Sequence, residues 1–234
     1  MDLNNKKVIV TGGSLGIGKA TAKLIILKGA TVLITGRNKE RLEKTAKEIG
    51  AIPLQFDVSN LSSIQQKTKE AIELLGGSVD ALVNNAGVGE FPELGKITAD
   101  QFHTVFNTNV FGLALLTQEI VPGMKDQQSG TIINVGSTAS LKGFARGTVY
   151  SASKFAVRSM TQTWQAELRR DNIRVCLVNP SEVTTAFGNT DGVERPTVNN
   201  KLDSNDIAHT ILAVLEMKNK GFIPEVTVWA TNPY

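Results

Sequence analysis

Short apolar runs alternate with helix-period stretches along the whole chain, and this alternation restricts the fold more than any other feature. Lys7–Thr11 (K-V-I-V-T), Thr31–Thr35, Ile52–Phe56, Ala81–Val83, Thr131–Val135, Ile173–Val178 and Val226–Trp229 read as strands. Lys39–Ile49, Leu61–Leu75, Ala99–Met124, Val149–Arg170 and Ser204–Met217 read as helices. Another helix, opening after the first strand, carries Ile17, Ala20, Leu24 and Leu27 along one side and stops at Gly29. Runs that are apolar throughout suit a parallel sheet covered on both faces. The expectation is an α/β fold: a Rossmann-type doubly wound parallel sheet of about seven strands with helices on both faces. No repeat or linker divides the 234 residues, so they read as a single domain, 1–234. The one long irregular stretch, 181–203, reads as a binding loop or lid.

Composition excludes several functions. A formal charge of +3 is too small to argue for nucleic acid or an anionic membrane. Cys176 is the only cysteine and sits in a strand-like run, so an internal disulfide is impossible and an inert buried thiol is expected. His103 and His209 lie far apart, each without a second Cys or His nearby, and no metal site is expected. No apolar stretch approaches the roughly 20 residues that span a bilayer. The first residues carry no signal-peptide pattern, so the expected location is cytoplasmic.

Between the first strand and its helix lies T-G-G-S-L-G-I-G, Thr11 to Gly18. A tight turn there points a helix N-terminus at a pyrophosphate, with Gly12 serving the turn, Gly16 close backbone approach and Gly18 helix–strand packing. The second strand ends Thr35-Gly36-Arg37-Asn38, followed by Lys39 and Arg41. An acidic residue at that point would accept from a ribose 2′-hydroxyl. Arg37 instead suits a 2′-phosphate, which favours NADP over NAD.

Y-S-A-S-K, Tyr150 to Lys154, places a phenol and an ammonium four positions apart on a helix, on one face. An ammonium beside a phenol favours the phenolate and lowers a pKa that starts near about 10. The tyrosine then becomes a usable proton donor or acceptor.

Together these motifs resemble the short-chain dehydrogenases/reductases in their NADP-preferring form, over nearly the whole chain. The glycine loop has the family's T-G-x-x-x-G-x-G spacing, not that of its extended members such as epimerases. Asn84-Asn-Ala-Gly87 resembles its N-N-A-G motif, and Asp57-Val58 its adenine-contacting pair. The resemblance implies four catalytic residues, Asn109, Ser137, Tyr150 and Lys154. It implies cofactor contacts from Gly12, Ser14, Leu15, Gly16, Ile17, Gly18, Arg37, Asn38, Asp57, Val58, Asn85, Ala86, Gly87, Pro180, Val183 and Thr185, with Tyr150 and Lys154 touching the cofactor too. One departure stands out: Ser181 follows Pro180 where the family commonly has glycine, and a positive φ there would be strained.

The implied activity is NADP-dependent hydride transfer between NADPH and a ketone or aldehyde carbonyl, or secondary alcohol oxidation in reverse. Tyr150 would donate the proton, Ser137 polarise the carbonyl, Lys154 tune Tyr150 and hold the nicotinamide ribose, and Asn109 anchor a water. Alternatives are a 3-oxoacyl-thioester (acyl-carrier-protein) reductase of the same family and a non-enzymatic NADP-binding sensor. The C-terminal stretch lacks the glycine pair of many thioester reductases and looks more like members acting on small 3-hydroxy acids or assorted ketones. Phe91, Phe144 and Phe187 are candidate apolar walls of the substrate pocket, and Arg146 a candidate partner for an anionic group. The partners implied are a small-molecule carbonyl or alcohol and a second copy of the chain, in a homodimer or homotetramer built on the two longest helices.

Overall fold

The computed structural model describes residues 1–188, 193 and 195–232. Positions 189–192 and 194 of the expected 181–203 loop, and the last two of the C-terminal stretch, lie outside the described residues. Seven strands form one sheet: β1 (Lys7–Val10), β2 (Thr31–Gly36), β3 (Ile52–Gln55), β4 (Ala81–Asn84), β5 (Gly130–Val135), β6 (Ile173–Pro180) and β7 (Glu225–Val228). Their order is β3-β2-β1-β4-β5-β6-β7, with every pairing parallel. The order reverses between β1 and β4, and ligands of such sheets bind outside the strand ends at that switch point.

Alternating strand side chains feed two cores. Val8, Val10, Val32, Ile34, Ala81 and Val83 face α1 (Gly16–Leu27), α2 (Lys39–Ile49) and α7 (Ser204–Glu216). Ile9, Leu33, Leu82, Ile132 and Val175 face α3 (Ile64–Leu74), α5 (Leu113–Asp126) and α6 (Thr148–Leu168). Burial on both faces explains why the strands read as unbroken apolar runs. Cys176 is buried in the first core, and burial pushes its thiol up to about 12.

Two expectations are corrected. The first helix buries Gly16, Gly18, Thr21, Ala22 and Ile25, while Leu27 is 71% exposed. Ile17 and Leu24 pack partly buried against the core as expected, while Leu27 does not, and the fully buried line is shifted to the residues beside them. The long helix expected over 99–124 is three pieces: α4 (Ala99–Phe106), a π-helical segment (Asn107–Gly112) and α5. Thr98 caps α4 through a capping box with Gln101. A π segment widens the helix locally, and such insertions are common at functional sites. This one contains Asn109.

Candidate active site

The glycine loop opens from β1 with Gly12 at φ +64° and Gly16 at φ +53°, a region that favours glycine. A Cβ on Gly18 would lie 2.3 Å from Gly12 O, so only glycine lets the helix start this close to the loop. Leu15, extended, precedes α1, and the first turn of that helix holds no acid. Ser14 is buried beside Gly36, and its carbonyl accepts from Thr45 Oγ1 at 3.0 Å.

Thr11 and Asn85 fasten the loop to the end of β4. Thr11 Oγ1 accepts from the amides of Asn85 and Ala86, each at 3.0 Å. Asn85 Nδ2 donates back to Thr11 O (2.9 Å) and Gly12 O (3.1 Å). The neighbouring Asn84 turns inward instead, donating to Thr117 Oγ1 and Asn134 Oδ1. Thus one asparagine of the pair shapes the loop and the other ties sheet to helix.

Arg37 stands exposed at the end of β2, lining a cleft of about 360 Å³ with Ser59, Val88, Asp100, His103, Thr104, Asn107 and Thr108. Asn38 caps α2, its Oδ1 accepting from Arg41 N at 2.9 Å. Asp57 Oδ1 accepts from both the amide and hydroxyl of Ser59, and Val58 packs into the second core.

Across the switch point, β5 delivers Ser137 and α6 delivers Tyr150 and Lys154. Ser137 N donates to Asn179 Oδ1 (3.2 Å) on β6, and Ser137 Oγ accepts from Ala139 N (3.1 Å). The Ser137 side chain lies near enough to the Tyr150 hydroxyl to favour its ionised form. Lys154 Nζ donates to Val135 O at 2.9 Å and lies 5.8 Å from the Tyr150 ring centroid. Burial pushes Tyr150 up to about 12, with the Ser137 side chain pulling the other way, and brings Lys154 down to about 8. This corrects the expectation that the ammonium draws the phenol down. Desolvation disfavours both charged forms here and outweighs their mutual attraction. Near neutral pH the phenol is therefore protonated.

Asn109 is buried, with its carboxamide fully occupied: Oδ1 accepts from Val88 N (2.9 Å), and Nδ2 donates to Val88 O (2.9 Å) and Ser153 Oγ (3.0 Å). Ser153 Oγ in turn donates to Tyr150 O at 2.7 Å, so the π segment is linked directly to α6. Gly87 borders both Asn109 Oδ1 and Lys154 Nζ.

The loop after β6 reaches back to the glycine loop. Pro180 ends β6, Val183 bridges to Leu202, and Thr185 is buried against Gly16. Ser181 is not among the positive-φ residues, and its amide donates to Val228 O at 2.9 Å. The strain expected of serine there is absent, because β7 holds it in an ordinary conformation. Thr11, Ser153 and Asn179 were not singled out from the sequence. The only signal for Ser153 is its place three residues after Tyr150, on the same helical face.

Residues 6–195 match the family model described as short chain dehydrogenase. The chain belongs to the short-chain dehydrogenase family. An uncharacterized oxidoreductase of Staphylococcus aureus (strain USA300) is 31% identical over 229 residues, 97% of each chain. The alcohol dehydrogenase of the archaeon Thermococcus sibiricus, solved with 5-hydroxy-NADP, superposes with a TM-score of 0.89 at 26% identity, covering 97% of each chain. A serine dehydrogenase in its closed form with NADP+ superposes with a TM-score of 0.85 at 30% identity, covering 95% of this chain and 94% of that one. As a short-chain dehydrogenase the protein is an oxidoreductase. Among its described residues no helix is long and apolar enough to cross a membrane, and no group of three or more His, Cys, Asp or Glu could hold a metal ion.

Proposed function

We propose that this short-chain dehydrogenase is an NADP-dependent carbonyl reductase, or in reverse a secondary alcohol dehydrogenase, with Tyr150 as its acid. The observation that carries this reading is the buried Tyr150 phenol beside Ser137, with the buried Lys154 ammonium 5.8 Å from its ring, at the switch point of the sheet. The residues present fit a dinucleotide. Gly12 and Gly16 hold left-handed conformations at the N-terminus of α1, and Gly87 keeps open the space between Asn109 and Lys154. Gly12–Gly18 would hold the pyrophosphate, Arg37 the 2′-phosphate, and Lys154, with two donor hydrogens beyond its Val135 bond, the ribose. When bound, the cofactor supplies the hydride that reduces the carbonyl carbon.

The side chains supply the remainder. As the carbonyl oxygen gains negative charge, Tyr150 donates its proton to it and the Ser137 hydroxyl donates a second hydrogen bond. Asn109 positions these groups by clamping Val88 to the Tyr150 helix through Ser153. The NADP-bound alcohol and serine dehydrogenases among its structural neighbours support the cofactor reading. Exposed Phe111 on the π segment and Phe155 on α6 support pairing of these helices with a second copy.

The test is NADPH oxidation against a panel of ketones, diketones, 3-oxo acids and 3-oxoacyl thioesters, repeated with NADH. Turnover with NADPH and a marked preference over NADH are expected. Tight NADPH binding with no turnover on any member would overturn the enzymatic reading in favour of a sensor.

A further inference from the structure

Loops after three neighbouring strands bring two phenylalanines to Tyr150 and a third behind them. Phe91, after β4, lies 5.4 Å from the Tyr150 ring, centroid to centroid, tilted by 57°. Phe187, after β6, covers another side at 5.6 Å and 56°. Phe144, after β5, backs Phe91 at 6.1 Å. None of the three belongs to the sheet cores. Phe144 is half-exposed and Phe187 more than a third exposed, so their apolar surface opens toward the mouth of the site.

Gly89 makes the cage possible: a Cβ there would stand 2.7 Å from Phe91 Cζ and 3.0 Å from Phe187 Cζ. The flanking charges hold the walls. Arg146 Nε donates to Phe91 O (3.0 Å), and Arg195 Nη2 donates to Phe187 O (3.2 Å). Arg146 adopts φ +66° to do so, a conformation unusual for a side chain larger than asparagine. A backbone held in that region beside the site points to a selected arrangement. Each guanidinium thus acts as a clamp on one wall, and the surface presented beside Tyr150 is ring faces and edges. Such surfaces attract a further ring in tilted or offset contact.

We propose that the site takes a carbonyl compound carrying an aromatic ring next to the reacting carbon, with Phe91 and Phe187 as the residues that select it. The inference rests on the carbonyl-reductase reading. In the reaction the carbonyl π bond breaks: carbon gains a hydride from a reduced nicotinamide dinucleotide, which is oxidised, and oxygen gains the Tyr150 proton, giving a secondary aryl alcohol.

The experiment compares acetophenone with butanone, acetoacetate and serine, in the direction appropriate to each, for wild type, Phe187→Ala and Phe91→Ala. Acetophenone binding to the NADP+-loaded protein is followed separately by calorimetry, which needs no turnover. The expected result is that acetophenone has the highest kcat/KM of the panel. Each alanine variant should lower its kcat/KM relative to that of butanone by about tenfold, mostly through KM, and weaken its binding by a similar factor. If butanone, acetoacetate or serine is turned over and acetophenone is neither turned over nor bound, this inference falls while the carbonyl-reductase reading stands. If nothing is turned over although NADPH binds, that reading falls. In that case acetophenone binding lost in Phe187→Ala still supports an aromatic pocket, and binding unchanged by both variants overturns it.

Discussion

The sheet buries a cation at each end, and the two are held differently. At the starting end of β6, Arg174 donates through Nε and Nη2 to Thr131 Oγ1 (3.1 and 2.8 Å) and through Nη1 to Met217 O (2.8 Å). Nη2 also reaches Leu215 O at 3.3 Å, so the guanidinium rests on carbonyls at the C-terminal end of α7, where the helix dipole is negative. At the finishing end of β5, Lys154 donates to a single acceptor, Val135 O. Arg174 has its donors placed and fixes a corner of the fold. Lys154 is desolvated, weakened to about 8, and retains donors for a bound partner. Cavity size misleads here: the cleft beside Arg174 is about 960 Å³, larger than the one beside Arg37, yet it lies away from Tyr150.

Substitutions can break this contrast, and the largest effect should come from the spare cation. Lys154→Ala should lower kcat by about 10³-fold, within the range for loss of acid–base machinery, with no loss of thermal stability. Steady-state kinetics and a melting curve read the two halves of that claim. Arg174→Met should do the reverse. It removes the guanidinium's bonds to Thr131, Leu215 and Met217, although the Met1 amino group still donates to both carbonyls, and should cost about 1–2 kcal/mol in urea unfolding while kcat stays at the wild-type value. A fall in kcat without a change in stability would erase the distinction between the two cations.

Arg37→Ala sharpens the cofactor side. Loss of charge-assisted hydrogen bonds to a 2′-phosphate should shrink the NADPH-over-NADH ratio of kcat/KM by about 10- to 100-fold, read from paired initial rates. The smallest effect is in pH. The Lys154 ammonium is present below about 8 and lost above it, so carbonyl reduction should decline as pH rises through that value. Alcohol oxidation, which needs the Tyr150 proton removed, should go on climbing well above that value, since burial holds Tyr150 up to about 12. The Arg174→Met profile should overlay that of wild type.

The sheet and its order of elements were legible because burial on both faces leaves unbroken apolar runs. The site motifs were legible because turn geometry and helical spacing leave fixed residue types. What escaped depends on three-dimensional context. The π segment at Asn107–Gly112 has no turn residue to announce it, and the buried face of α1 begins with Gly16 and Gly18, which carry no hydrophobic signal. The protonation of Tyr150 could not be read from a neighbouring lysine, since it depends on how deeply both groups are buried. Thr11, Ser153 and Asn179 act through contacts with residues distant in the chain or on the next helical turn. Phe91, Phe144 and Phe187 were candidates individually, but only the fold sets Phe91 and Phe187 against the Tyr150 ring and Phe144 behind Phe91.

The most direct test is Tyr150→Phe, which removes one hydroxyl and keeps the ring between Phe91 and Phe187. NADPH binding, followed by its fluorescence, should match wild type within about twofold, while NADPH-dependent ketone reduction should fall by about 10³-fold or more. Ketone reduction within tenfold of wild type in a variant that still binds NADPH would contradict the assignment of Tyr150 as the acid.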